Sequence, residues 1–171
     1  MKRLMSLVLI SVALASCNPS DSSKLEGVTS KTKTPQQAVE FTLPDLAGNP
    51  HRLSEYLEKG PVMLVYFTTW CPYCKKAIPT LKQVYREYGS KGLQLVAINA
   101  GLADSLENAQ RYALQHRLPY AVLYDADGNT ADHYGVSAVP IIFYIQKDGR
   151  ITHTSRHVSQ QAIEHLLRTQ G

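Results

Sequence analysis

Thr68-Thr69-Trp70-Cys71-Pro72-Tyr73-Cys74-Lys75-Lys76 sets two thiols, with two residues between them, at the junction of an apolar run and an amphipathic one. Upstream, Pro61-Val62-Met63-Leu64-Val65-Tyr66-Phe67 is continuously apolar and rich in β-branched and aromatic types, which predicts a strand buried on both faces. Downstream, Ile78, Leu81, Val84, Tyr85 and Tyr88 recur at helical spacing until Gly89, which predicts a helix starting just after Cys71. Pro72 suits the first turn of that helix, where its missing N–H would have no partner anyway. The same turn leaves backbone N–H groups free, and their partial positive charge favours a thiolate at Cys71. A Cys-x-x-Cys on a strand-to-helix turn reads as a redox dithiol. Tyr73 is placed to shield the sulfur pair.

Other uses of the two cysteines fit the residues less well. A zinc site needs four ligands, and neither a second Cys-x-x-Cys nor a His-x-x-x-His follows, so no metal is expected. A structural disulfide closing so short a loop removes little entropy from the unfolded chain. Two inert core cysteines have no need of Trp-Cys-Pro at a helix start. No cofactor is expected either.

At these residues the chain resembles the thioredoxin superfamily. The resemblance runs from about Ala38 to the C-terminus and is carried by Trp70-Cys71-x-x-Cys74-Lys75, with Pro79 eight residues after Cys71 where thioredoxins have a helix-kinking proline. Within the superfamily it looks most like the TlpA/ResA group of membrane-anchored, extracytoplasmic thiol-disulfide oxidoreductases, although the Pro72-Tyr73 dipeptide is the one typical of glutaredoxins. The fold so implied is α/β and thioredoxin-like, with a central mixed sheet flanked by helices, an N-terminal extension and a central helix-strand insert.

The 171 residues suit one domain behind a targeting segment, and 44% hydrophobic content is enough for a core. Met1-Lys2-Arg3 followed by Leu4 to Ala15 has the charged start and short apolar run of a secretory signal, too short to span a bilayer. Leu14-Ala15-Ser16-Cys17 resembles the bacterial lipobox, which implies a signal peptide over 1–16 and a lipidated Cys17. The mature protein would then hold no thiol besides Cys71 and Cys74. Residues 17–37, rich in Ser, Thr, Lys and Gln, read as a flexible tether with a reach of roughly 25 Å, and 38–171 as the thioredoxin-like domain. The expected location is a bacterial membrane surface, facing the periplasm or the cell exterior. Losing Lys2 and Arg3 leaves 16 basic and 14 acidic residues, and no basic patch with interleaved aromatics marks a nucleic-acid partner.

Along the domain, Phe41 to Pro50 reads as a short strand and turn, and Leu53 to Leu57 as a short helix capped by Ser54. Leu93 to Asn99 reads as a second buried strand, parallel to the first. Asp104-Ser105-Leu106-Glu107 is a capping signal for a helix burying Leu106, Ala109, Tyr112 and Ala113 and ending before Pro119. Tyr120 to Tyr124 is a strand, and Thr130 to Tyr134 a helical turn. Gly135 to Pro140 leads into a hairpin of Ile141 to Ile145 and Ile151 to Thr154, and Ser159 caps a last helix. The resemblance implies that Pro140 is cis and faces the dithiol. Val139 and Pro140 are then the substrate-binding pair, the backbone of Val139 pairing with an extended segment that presents its disulfide to Cys71.

The implied chemistry is attack by an exposed Cys71 thiolate on a substrate disulfide, followed by attack of Cys74 on Cys71 to release the reduced substrate. Lys75 and Lys76 either add positive potential or are solvated surface lysines. Two departures from the family stand out. Thioredoxins carry an Asp six residues before the first cysteine, here Val65, and ResA-type proteins a Glu three residues after the second, here Ala77. That leaves the base for Cys74 unnamed, with Glu40 and Asp45 as bare candidates. Protein thiols or disulfides are the expected substrates, a membrane protein the expected electron donor, and the chain a monomer. Two alternatives stay open: a peroxiredoxin-like thiol peroxidase, for which Thr68 stands three before Cys71 but Leu64 replaces the signature proline, and a tethered non-catalytic binding module.

Overall fold

The computed structural model describes residues 36–101 and 104–169. The signal peptide, Cys17 and nearly all of the tether lie outside the described residues.

The elements follow in the order β1 (Thr42–Pro44), β2 (Pro50–Arg52), α1 (Leu53–Lys59), β3 (Val62–Phe67), α2 (Pro72–Tyr88) and β4 (Gln94–Asn99). The chain continues through α3 (Leu106–His116), β5 (Ala121–Tyr124), α4 (Asn129–His133), β6 (Ile141–Ile145), β7 (Ile151–Ser155) and α5 (Gln160–Arg168). β1 and β2 form an antiparallel hairpin, and the other five strands form one mixed sheet in the order β5-β4-β3-β6-β7. β3 sits at its centre, parallel to β4 and antiparallel to β6. Its apolar run is explained by the two cores it divides. Met63, Val65 and Phe67 pack with Ile78, Leu81 and Val84 of α2 and with Ile163 and Leu166 of α5. Val62, Leu64 and Tyr66 face the other way, onto Leu53, Phe41 and Tyr134. Alternate residues of a strand point to opposite faces, so a strand covered on both sides needs apolar residues throughout.

The sheet order delivers the site. β3 ends at Phe67 in register with Asn99 of β4, and the chain turns directly into α2 with Cys71 as its N-cap residue. Pro79 lies inside α2.

Three expectations need correction. Ser54 is not the cap of α1: the cap position is Arg52, and Glu40 Oε1 instead accepts hydrogen bonds from the Ser54 amide (3.2 Å) and hydroxyl (3.3 Å). A carboxylate suits a helix start better than a hydroxyl because it answers the helix dipole as well as the open N–H groups. The tether ends earlier than residue 37. The Ile151 amide donates to Gln36 O at 2.9 Å and Gln37 bridges to Arg150, because the outer edge of β7 offers backbone groups that a polar segment can satisfy. Leu106 is exposed, since Ala109 and Tyr112 define the buried stripe of α3.

Candidate active site

Cys71 and Cys74 face each other across the first turn of α2. Cys71 Sγ accepts from the Cys74 amide at 3.2 Å, so the sulfur itself caps the helix, and its thiol donates to Val139 O at 3.6 Å. The Val139–Pro140 peptide is cis. Pro140 also borders the cavity that Cys74 lines, so the turn before β6 meets both cysteines. Cys71 is not the exposed thiol expected from the sequence: it is 4% exposed and Cys74 3%. Burial therefore does not distinguish them; position does. Cys71 sits at the helix tip against Val139, while Cys74 turns inward. Trp70 and Tyr73 stand out from the surface at 60% and 65% exposure, and Lys76 Nζ lies 5.6 Å from the centre of the Tyr73 ring. Tyr73 therefore projects into solvent instead of covering the sulfurs. Pro72 occupies the first position of α2.

Burial, and then the hydrogen bond with Cys71, push the Cys74 thiol up to about 12. It faces a small cavity of about 20 Å³, also lined by Val65, Ala77, Tyr112, Tyr120 and Pro140. Val65 and Ala77, the two positions where the family resemblance leads one to expect a carboxylate, thus both border the space beside Cys74 and leave it without an acid. Glu40 and Asp45 do not fill the gap. Glu40 holds the start of α1, and the side chain and backbone of Asn49 hold Asp45 well below the usual carboxylate range in a turn with Ala47 and His51. What reaches the cavity is the Tyr112 ring, stacked on Phe67 at 5.5 Å, with a buried hydroxyl that has no hydrogen-bond partner.

The loop before the dithiol is fixed from a distance. Asp104 Oδ2 accepts from the Thr69 amide (2.7 Å) and from Asn99 Nδ2 (2.9 Å), and its Oδ1 accepts from the Thr69 hydroxyl (2.8 Å) and the Ser105 amide (3.1 Å). Burial opposes the charge of Asp104, but the bonds from Asn99 and Thr69 outweigh it and hold the carboxyl low. The sequence shows Asp104 only as part of a capping signal; its second task appears once β3 and β4 are paired. Asp104→Ala leaves the Thr69 amide and hydroxyl without their acceptor, and is expected to cost about 2 kcal/mol of stability. Because the folded carboxyl titrates below its unfolded value, the contribution is complete above about pH 4 and fades as pH falls through the folded value. Urea unfolding of wild type and variant at neutral pH and below pH 3 checks this: the gap between them narrows in acid.

A helix-capping thiol, a second thiol one turn on and a cis-proline turn against the first, all at the end of a central strand, define a thioredoxin-like dithiol protein. Residues 34–154 match the AhpC/TSA family, and the chain belongs to it. The thiol-disulfide oxidoreductase ResA of Geobacillus thermodenitrificans is 32% identical over 114 residues, which are 67% of this chain and 64% of that relative. The chain thus matches somewhat under two thirds of that relative's length. Among solved structures, a secreted disulfide oxidoreductase of Mycobacterium tuberculosis, described as homologous to E. coli DsbE, superposes with TM-score 0.63 at 26% identity, covering 75% of this chain and 94% of that one. The peroxidoxin BcpB of the same organism superposes with TM-score 0.68 at 26% identity, covering 81% and 99%.

Proposed function

We propose that this protein is an extracytoplasmic thiol-disulfide oxidoreductase that exchanges disulfides with protein substrates through Cys71 and Cys74. The single observation that supports it most is Cys71 Sγ lying 3.6 Å from Val139 O in the turn to a cis proline. An extended substrate segment pairing with the Val139 backbone brings its disulfide onto that sulfur. Cys71 attacks, its sulfur bonds to one substrate sulfur, and the other leaves as a thiolate. Cys74 then loses its proton to solvent and attacks Cys71, closing the Cys71–Cys74 disulfide and releasing the second substrate sulfur. Two electrons pass from the dithiol to the substrate, and an electron donor at the membrane must restore the thiols.

Tyr112, with its unpartnered hydroxyl, borders the Cys74 cavity from which a carboxylate is missing. Burial raises its phenol well above the ordinary tyrosine value, so it stays protonated and acts as a donor, not a base. A hydrogen bond from it to the Cys74 thiolate is strong because one partner is charged. Tyr112→Phe is expected to slow release of a preformed mixed disulfide about tenfold, the equivalent of one charge-assisted hydrogen bond, without slowing its formation. In the wild type the release rate rises about tenfold per pH unit through the neutral range, since Cys74 deprotonates only near 12. Stopped-flow mixing of wild type and variant with a chromogenic disulfide separates the two steps; an unchanged release rate removes Tyr112 from the mechanism.

The anchor is a lipidated Cys17, following a signal peptide over 1–16, with the protein facing the periplasm or the cell exterior as a monomer. Palmitate labelling of wild type but not of Cys17→Ser is the expected result. Among the described residues no helix is long and apolar enough to cross a membrane.

A thiol peroxidase is the second reading, favoured by the likeness to peroxidoxin BcpB and by Thr68 three residues before Cys71. Insulin-disulfide reduction with dithiothreitol, run beside peroxide consumption, decides between them. Insulin reduction without peroxide turnover is expected; the opposite outcome selects the peroxidase, and neither activity selects a binding module.

A further inference from the structure

Next to the Cys74 cavity, with which it shares Ala77, Pro140 and Ile142, lies a groove of about 690 Å³ bordered by Tyr73, Lys76, Thr80, Arg156 and His157. No carboxylate lines it. Arg156 follows β7 directly, and its Nη2 donates to Val139 O at 3.3 Å, the same carbonyl that Cys71 Sγ meets at 3.6 Å. Among the described residues Arg156 and Lys76 form no ion pair with a carboxylate. Arg156 therefore keeps most of its donors for something else, within one carbonyl of the proposed nucleophile.

We propose that this groove selects substrate segments bearing a carboxylate next to the reacting cysteine, and that Arg156 binds that carboxylate. The proposal rests on the oxidoreductase function given above. An extended segment that pairs with the Val139 backbone runs along the groove, so a side chain one or two residues from its cysteine lies over Arg156. A guanidinium has five N–H donors in a planar fork that matches a carboxylate with two parallel bonds, and only one of them is committed to Val139. Lys76, which borders the same groove, adds charge of the same sign. A lysine beside the substrate cysteine meets repulsion in the same place, so the groove discriminates by exclusion as well as by attraction.

The test uses three peptides, each closed by one internal disulfide and identical except for Glu, Gln or Lys next to the first cysteine. The rate constant for reduction by the reduced full chain is measured for each in low salt and in roughly 0.5 M salt, where charges more than about 4 Å apart are largely screened. The expected order is Glu, then Gln, then Lys. The Glu-to-Gln ratio is about ten in low salt and shrinks in high salt. Arg156→Gln brings that ratio to within about twofold of one, and Arg156→Glu reverses the Glu–Lys preference. Equal wild-type rates for the three peptides overturn the selectivity. So does an Arg156→Gln variant that slows all three by the same factor, since Arg156 would then be acting on Cys71 and not on substrate. Reduction of none of the peptides overturns the oxidoreductase function itself, and this proposal with it.

Discussion

Cys74→Ser is expected to halt the protein after its first chemical step, as a stable covalent adduct with substrate. Cys71 keeps its place at the tip of α2 and still attacks. Nothing on the protein can then displace the substrate, because the remaining sulfur of the pair has become a hydroxyl. In the wild type the second thiol stands one helical turn away, and groups held in such register react as if present at roughly 10⁵ M or more. External thiol at millimolar concentration cannot match that, so turnover falls by roughly a thousandfold or more. Non-reducing electrophoresis after mixing with a disulfide-bonded protein checks it: a band at the summed mass accumulates with Cys74→Ser and vanishes on adding dithiothreitol.

The complementary variant, Cys71→Ser, loses activity before any adduct forms. Its remaining thiol, Cys74, is buried and pushed up to about 12, so at pH 7 on the order of 10⁻⁵ of it is thiolate. The hydrogen bond to Val139, where the substrate backbone is expected to dock, is made by Cys71 and not by Cys74. Insulin reduction by this variant should fall to the uncatalysed rate, with far-UV circular dichroism and the unfolding midpoint retained. A variant holding a tenth of wild-type activity would mean that Cys74 is itself a nucleophile.

The reduced pair also fixes how stability depends on pH. Cys74 titrates higher in the folded chain than in the unfolded one, so its contribution is complete below about pH 9 and is lost as pH rises towards 12. Oxidation removes both thiols and with them this dependence.

Much of the architecture was legible because the signals are local. The two-faced apolar run of β3, the helical recurrence of Ile78, Leu81 and Val84 and the Ser105 and Ser159 caps each follow from neighbours within a few residues. So did the dithiol, whose spacing and setting lie in nine consecutive residues. What escaped was set by residues far apart in the chain. Thr69 meets Asp104 across 35 positions, and Arg156 meets Val139 across 17. Tyr112 shows in the sequence as one more apolar position on α3, and only the fold brings it to the cavity that Cys74 lines. The exposure of Cys71 was misjudged for a similar reason. A helix tip looks open in sequence, yet the turn at Val139 and Pro140 closes over it. Ser54 lost its capping place to Glu40, 14 residues earlier, because the β1–β2 hairpin folds that carboxylate back onto α1.

The division of labour between the two sulfurs is tested most directly by asking which reacts first. The reduced full chain is treated at pH 7 with less than one equivalent of iodoacetamide, and tandem mass spectrometry of the peptide carrying both cysteines locates the label. Cys17 is scored separately. Label almost wholly on Cys71 is the predicted result. Label on Cys74, or divided evenly between the pair, would contradict it.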